Sequence, residues 1–253
     1  MVTDTTIKKG YKQTELGIIP QDWDARPIGD FFKFKNGLNK AKEFFGYGSP
    51  IVNYMDVYKN RGLYSTNIHG RVDVTHQEIQ SFSVKKGDVF FTRTSETVEE
   101  IGITSVLLND LKNGVFSGFI LRARPTNNDL EDIYKQYCFS SERVRKQIQE
   151  KSTYTTRALT NGRVLSKVKI FYPPKSEQTA IATVLSDSDT LIEHLEKLID
   201  KKKAIKQGSM QQLLTGKKRL PGFSGKWEVK KLGDIAEIYQ PQTISQNDFS
   251  IRT

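Results

Sequence analysis

The feature that most constrains this chain is a stretch of 38 residues, 177–214, that contains no proline and whose one glycine is Gly208. Apolar residues recur every seven positions at Val184, Leu191, Leu198 and Ile205, flanked by Ile181, Leu185, Ile192, Leu195 and Ile199. Seven residues make nearly two turns of α-helix, so these side chains share one wide stripe that needs a partner. The run begins after Pro173-Pro174, with Ser176 placed to cap it, Glu177 favourable in the first turn, and Gly216 as terminator. At 1.5 Å per residue this predicts a rod roughly 57 Å long, more than a compact domain can hide.

The charges on the rod are segregated. Residues 177–196 carry five acids (Glu177, Asp187, Asp189, Glu193, Glu196) and no Lys or Arg, whereas 197–219 carry eight bases against Asp200 alone. Complementing the helix dipole would account for the terminal turns, where that effect is confined. The polarity runs much further, which favours two such helices lying antiparallel, acidic half against basic half. The run Lys201, Lys202 and Lys203 reads as a solvated face or as a place where a partner subunit binds.

Two other regions flank the rod. Residues 1–175 are rich in short β-like runs, DVFFTRT at 88–94, ITSVLL at 103–108, SGFILRARP at 117–125 and KVKIFYPP at 167–174. In 119–124, Phe119, Leu121 and Ala123 alternate with Ile120, Arg122 and Arg124, predicting one apolar face and one partly basic face. A single helix is expected where Leu130, Ile133, Tyr134, Tyr137, Val144 and Ile148 form a stripe, capped by Asn128 or Asp129. The third region repeats the first: Trp23 and Gly29-Asp30 recur as Trp227 and Gly233-Asp234, with Ile28 matched by Leu232. The expected organisation is therefore a mixed α/β (α+β) domain at 1–175, a long coiled-coil-like helix at 176–216, and at 217–253 the start of a second, incomplete domain of the first kind.

Lys and Arg total 39 against 29 Asp and Glu, a net charge of +10, and +8 of it falls in residues 1–175. Such an excess suits a polyanionic partner, because each phosphate neutralised releases a counterion. No run approaches the roughly 20 apolar residues that cross a bilayer, and the first residues lack a secretory signal, so a cytoplasmic location is expected. The lone cysteine, Cys138, reads as a small core residue. Catalytic patterns are not found. There is no phosphate-cradling GxxxxGK[ST], and Gly46 with Gly48 lack the rest of a dinucleotide fingerprint. His69 and His76 have no Ser or Cys nucleophile in an interpretable arrangement, and with His194 and Cys138 they form no zinc set. Glu96, Glu99 and Glu100 could be imagined as a metal-dependent nuclease cluster, but a solvated loop is the commoner origin of such a run. The Pro173-Pro174 pair follows Tyr172, not the Asn or Asp that an amino-methyltransferase motif requires.

The stretch 173–223, PPKSEQTAIATVLSDSDTLIEHLEKLIDKKKAIKQGSMQQLLTGKKRLPGF, resembles the central helical region of type I restriction-modification specificity subunits. The resemblance is carried by the Pro-Pro entry, Glu177-Gln178, Ile181-Ala182, Asp189, Lys201 to Lys203 and Leu213-Leu214-Thr215-Gly216. The preceding part resembles the family's target recognition domain more loosely, through the Trp-to-Gly-Asp opening, KKGDVFFTRTSETVEEIG at 85–102, and the ending into KIFYPP. The resemblance implies a non-catalytic subunit that selects double-stranded DNA for partner modification and restriction subunits. Any S-adenosylmethionine would then sit in the modification subunit, with no cofactor or metal on this chain. Members of the family carry two recognition domains held apart by antiparallel helices; with one such domain, this chain is expected to form a homodimer that reads a bipartite target. The competing expectation is a helical scaffold that assembles a complex without reading sequence.

Within 1–175, sequence reading needs side chains that address base edges, while Lys and Arg hold phosphates. Thr92, Arg93, Thr94, Ser95 and Glu96 form one candidate run, and Tyr154, Thr155, Thr156, Arg157, Asn161 and Arg163 a second. Lys40, Lys42 and Arg61 are candidate phosphate contacts. Each of these residue types is also common on ordinary surfaces and in turns. Helix pairing is assigned to Ile181, Val184, Leu185, Leu191, Ile192, Leu195, Leu198, Ile199 and Ile205.

Overall fold

The structure, a computed structural model, describes residues 7–239, which fall into two units, one ending at Leu191 and one beginning at Ile192. The first unit opens with strands β1 (Tyr11–Thr14), β2 (Gly17–Pro20), β3 (Asp24–Pro27), β4 (Phe32–Asn36) and β5 (Phe45–Val52). Helix α1 (Tyr54–Lys59), β6 (Gly62–Leu63), β7 (Arg71–Val72) and helix α2 (His76–Phe82) follow. Then come β8 (Val89–Thr92), β9 (Thr94–Ser95), β10 (Thr104–Leu107), β11 (Val115–Phe116) and β12 (Ile120–Pro125). The unit continues with α3 (Asp132–Lys135), α4 (Glu142–Lys151), β13 (Thr153–Tyr154), β14 (Ala158–Leu159), α5 (Gly162–Leu165) and β15 (Lys169–Tyr172), and the helix α6 (Lys175–Leu213) comes next in the chain. Among the described residues no helix is long and apolar enough to cross a membrane.

A five-stranded sheet of order β4-β12-β8-β10-β6 organises the first unit. Its central strand β8 is buried at every position, because apolar clusters cover both faces. Side chains of a strand alternate between faces: Val89 and Phe91 join one cluster with Phe31, Phe32, Phe139, Val144 and Ile148, whereas Phe90 joins Phe116, Leu107 and Ile120 in the other. The predicted alternation of β12 is present, with Leu121 and Ala123 in the first cluster and Ile120 in the second. The expected basic face is not a surface, however. Arg122 is 7% exposed, lies over the Phe116 ring at 5.2 Å and donates to the Ser83 carbonyl. Neighbouring Arg124 grips buried Asp88 in a bidentate pair, 2.9 and 2.7 Å. Apolar clusters pack on both faces of this interior strand, so Arg122 turns inward and finds a backbone acceptor, while half-buried Arg124 reaches Asp88. Phe119 departs in the opposite sense: it precedes the strand and is 64% exposed.

The single helix expected over 130–148 is two, α3 and α4, with N-caps Glu131 and Ser141 in place of Asn128 or Asp129. The first helix ends at Lys135, the chain turns through 136–140, and Ser141, in extended dihedrals, begins the second. Leu130, Tyr134, Val144 and Ile148 are nevertheless buried in one cluster, while Ile133 is exposed. Cys138 is buried there too, and burial pushes its thiol well above the usual range.

Helix α6 spans 39 residues, close to the predicted 177–214. Ser176 does not cap it. The carbonyl of Pro174 accepts from the Glu177 and Gln178 amides at 2.9 Å, so the helix starts directly from the second proline and Ser176 lies inside the first turn. In the second unit the described chain past α6 holds a short 3-10 turn at Leu232–Asp234, the counterpart of the one at Ile28–Asp30. The two copies share this Gly-Asp turn, but the strand that precedes it in the first copy, β3, has no counterpart at 228–231, and Leu232 is exposed where Ile28 is buried. Residues 240–253, part of the expected second domain, lie outside the described residues.

Candidate nucleic-acid interface

Parts of the two candidate runs, some sixty positions apart in sequence, meet: residues 94–96 of the first and 154–157 of the second form one surface. Strands β13 and β14 make a hairpin, and β14 pairs antiparallel with β9, placing Ala158 opposite Ser95 and Leu159 opposite Thr94. Arg93 ties the same elements together: its amide donates to the Phe119 carbonyl and its own carbonyl accepts from the Thr160 amide at 3.0 Å. Its guanidinium reaches the Gly118 carbonyl at 3.4 Å.

The inner residues of this surface build it. Thr92 is fully buried; its hydroxyl accepts from the Ile103 amide at 2.9 Å and donates to the Glu100 carbonyl at 3.2 Å. This stitches the 96–102 loop to β8. The loop closes at Gly102, whose φ of 66° and 2.6 Å approach of a would-be Cβ to Ile148 leave room for glycine alone. Ser95 is 5% exposed and donates to Glu100 at 3.3 Å, and Tyr58 donates to the other Glu100 oxygen at 2.6 Å. That hydrogen bond raises the Tyr58 phenol above its usual pKa. Glu99 is exposed on the same loop, and among the described residues no three His, Cys, Asp or Glu side chains are gathered to hold a metal ion.

The outer residues face solvent. Glu96 and Arg157 pair across the hairpin edge at 2.9 Å, with side chains 73% and 61% exposed. Tyr154 is 57% exposed, and Thr155 and Thr156 are exposed at the hairpin turn. Together with Thr94, Ser95, Tyr54 and Phe119, Glu96 and Arg157 line a shallow cup of about 190 Å³. Tyr54 stacks on Tyr58, and partial burial pushes its phenol above its usual pKa, so it stays protonated. Sequence reading passed over Tyr54, which opens a short helix with no flanking polar run, and it put Phe119 on the strand's apolar face. The Ser117-Gly118 pair just before Phe119 was the available signal for a turn there.

The remaining candidates lie elsewhere. Asn161 caps α5, its side-chain oxygen accepting from the Val164 amide at 3.0 Å, and Arg163 is exposed on that helix. Lys40 is engaged by Glu78 at 2.9 Å and lies over the Phe44 ring, while Lys42 is exposed in the turn before β5, on a different sheet. Arg61 reaches α6 in its fourth turn, 3.8 Å from Asp189, and lies 3.0 Å from the Ser140 hydroxyl. On α6 itself Val184, Leu185, Leu191, Ile192, Leu195, Leu198, Ile199 and Ile205 are 39 to 65% exposed. Ile181, assigned to the same stripe, instead packs against the first unit's core.

The cup can offer a carboxylate acceptor, a guanidinium fork, hydroxyls and aromatic faces within one patch. An exposed Glu–Arg pair is worth at most about 1 kcal/mol, so either partner exchanges it readily for a better one. Comparison with known proteins bears on what that partner is. Residues 20–207 match the family described as type I restriction modification DNA specificity domain. The chain is 26% identical over 256 residues to the type I restriction enzyme MjaIX specificity subunit of Methanocaldococcus jannaschii, covering 94% of this chain and 57% of that protein. The chain thus spans little more than half the length of the curated relatives it matches. In fold it is similar to the HsdS subunit of Thermoanaerobacter tengcongensis, with a TM-score of 0.53, 14% identity, and coverage of 80% of this chain and 47% of that one. It is similar also to a chain solved in a study of the assembly of a type I R-M system, with a TM-score of 0.56, 15% identity, and coverage of 77% of this chain and 46% of that one.

Proposed function

The chain belongs to the type I restriction modification DNA specificity domain family, and from that membership we propose that it reads DNA sequence through the β9–β13–β14 surface and performs no chemistry itself. The observation that carries the reading is the exposed Glu96–Arg157 pair beside Thr94, Tyr154 and Phe119. A carboxylate facing a duplex is repelled by phosphates and gains only where it accepts from a base amine such as cytosine N4. Arg157 addresses guanine O6 and N7 with its fork, and Phe119 offers an apolar contact to a thymine methyl. Exposed Lys42 and Arg163 supply backbone contacts that set register. Partner modification subunits carry the methyl donor S-adenosylmethionine, and restriction subunits carry the cleavage chemistry.

The second half of a bipartite target is read by a second copy, paired antiparallel through α6. Support comes from the exposed apolar stripe and from the charge division, which sets Asp187 and Glu193 of one helix against Lys201 to Lys206 of the other. The reading is tested by methylome sequencing of DNA exposed to the chain together with its modification subunits. A single interrupted motif with symmetric halves is expected; methylation without a motif, or binding indifferent to sequence, refutes sequence reading and leaves a scaffold.

A further inference from the structure

Gln178 is completely buried, an unusual place for an amide on the first turns of a helix whose only other buried residue is Ala182. Both of its donor hydrogens and its oxygen are used. Nε2 donates to the Pro173 carbonyl at 3.0 Å and to the Asp129 carbonyl at 3.1 Å, and Oε1 accepts from the Glu131 amide at 2.9 Å. One residue earlier, Glu177 accepts from the Trp23 indole at 2.7 Å, and that indole packs edge-on against Phe171. Four residues later Ala182 is fully buried in the core cluster with Ile181 against it. Two turns beyond, Asp189 accepts from the Tyr137 hydroxyl at 2.9 Å and lies 3.8 Å from Arg61, whose guanidinium covers the Tyr137 ring.

These contacts do more than attach a helix. An apolar side chain at 178 would attach it as well, without the desolvation cost of an amide, but apolar contact is non-directional. Three hydrogen bonds to backbone atoms on two sides of one side chain fix both tilt and rotation about the axis. A rod held at one point pivots, whereas attachments at 178 and 189, eleven residues and about 16 Å apart, define a line. We propose that Gln178 is a positioning residue: with Glu177–Trp23 and the Asp189 contacts, it sets the direction in which α6 leaves the recognition domain and, through it, the half-site spacing the assembly accepts. The spacing half of this statement rests on the DNA-reading function proposed above. Over residues 175–191, about 25 Å of helix, a swing of about 10° moves the axis by about 4 Å. One base-pair step is about 3.4 Å, so a small change of angle is a change of register.

The test separates geometry from DNA reading. Spin labels are placed at exposed Lys146→Cys and Ser188→Cys in the full chain, with buried Cys138 left in place. Inter-label distances are then measured for the parent, for Gln178→Leu and for Trp23→Phe. The second variant removes the bond to Glu177 and keeps the ring, so it guards against a simple failure of Gln178→Leu to fold. A narrow parent distribution that shifts or widens by roughly 4 Å or more in the folded variants supports the clamp. The same proteins select from DNA libraries in which the half-sites are separated by different spacers, and the variants should spread over adjacent spacer lengths while keeping the half-site sequences. Unchanged distances, or an unchanged spacer preference, in folded variants overturn the proposal. If distances widen but even the parent selects no sequence, the clamp stands as geometry and the DNA-reading function falls.

Discussion

Replacing Leu195 and Leu198 together by alanine should dissociate the proposed helix pair. The two side chains are 49% and 48% exposed, so about half of each remains to be buried by a partner. Full burial of a leucine contributes about 1.5 to 3 kcal/mol, which leaves about 0.7 to 1.5 kcal/mol per side chain. In a two-fold pair each substitution acts twice, giving four such contributions, and the retained Cβ places the loss near the lower end, about 3 kcal/mol. That is roughly a hundredfold rise in the dimer dissociation constant. Light scattering and sedimentation over a concentration series read it directly, with the fold of each variant checked by thermal melting. Neither residue packs against the first unit's core, so the melting of that unit should be unchanged. Raising salt should weaken the parent dimer as well, since exposed acidic and basic halves facing each other are screened. A parent chain that stays monomeric at micromolar concentration with DNA present, or a double variant that associates like the parent, would refute the pairing.

Other outcomes follow from the same geometry. Arg157→Ala should lose about 1 to 3 kcal/mol of discrimination at one target position, and Glu96→Ala should relax an adjacent position; a uniform loss across all sequences in a binding selection would mark Arg157 as a phosphate contact. Asp88→Ala should destabilise the first unit by about 3 kcal/mol in urea unfolding, because it leaves the Arg124 guanidinium without the buried acid it grips; an effect below about 1 kcal/mol would show that water replaces it. Glu78 is held below its ordinary value of 4.5, first by the Thr75 amide and then by Lys40. Its contribution is therefore complete above that value and fades as pH falls through the lower folded value. Glu78→Gln should flatten the acid limb of stability against pH, and an unaltered limb would contradict the assignment.

The long helix was legible because a seven-residue period is a property of sequence alone, and α6 falls within two residues of the predicted ends. The strands at 88–94, 103–108 and 167–174 were legible for the same reason, as short apolar runs between turn formers. What escaped was decided by neighbours distant in sequence. Arg122 reads as solvent-facing until the layer carrying Phe116 and Ser83 packs over its face of the sheet, and Ser176 reads as a cap until the Pro174 carbonyl takes the first amides. The break between α3 and α4 escaped because the buried set Tyr134, Val144 and Ile148 keeps its helical spacing across it. At the candidate site the residue types were visible, but not their roles: Thr92 and Ser95 hold the loop from within, Glu96 and Arg157 stand at its rim, and Lys40 is engaged by Glu78. Gln178 was noted only as part of a familiar dipeptide, since nothing in a sequence shows that an amide is enclosed by three backbone partners.

The pairing of β9 with β14 has a practical corollary for anyone wishing to retarget such a protein. The proposed reading face is woven from two threads, residues 94–96 and 153–159, whose mutual register is held by main-chain bonds. A loop transplanted from a relative would carry its side chains to the wrong heights unless the opposing thread travelled with it. New specificities should therefore be inherited in matched pairs of segments, and libraries that vary one thread alone should return mostly folded proteins that have lost their preference and acquired no other.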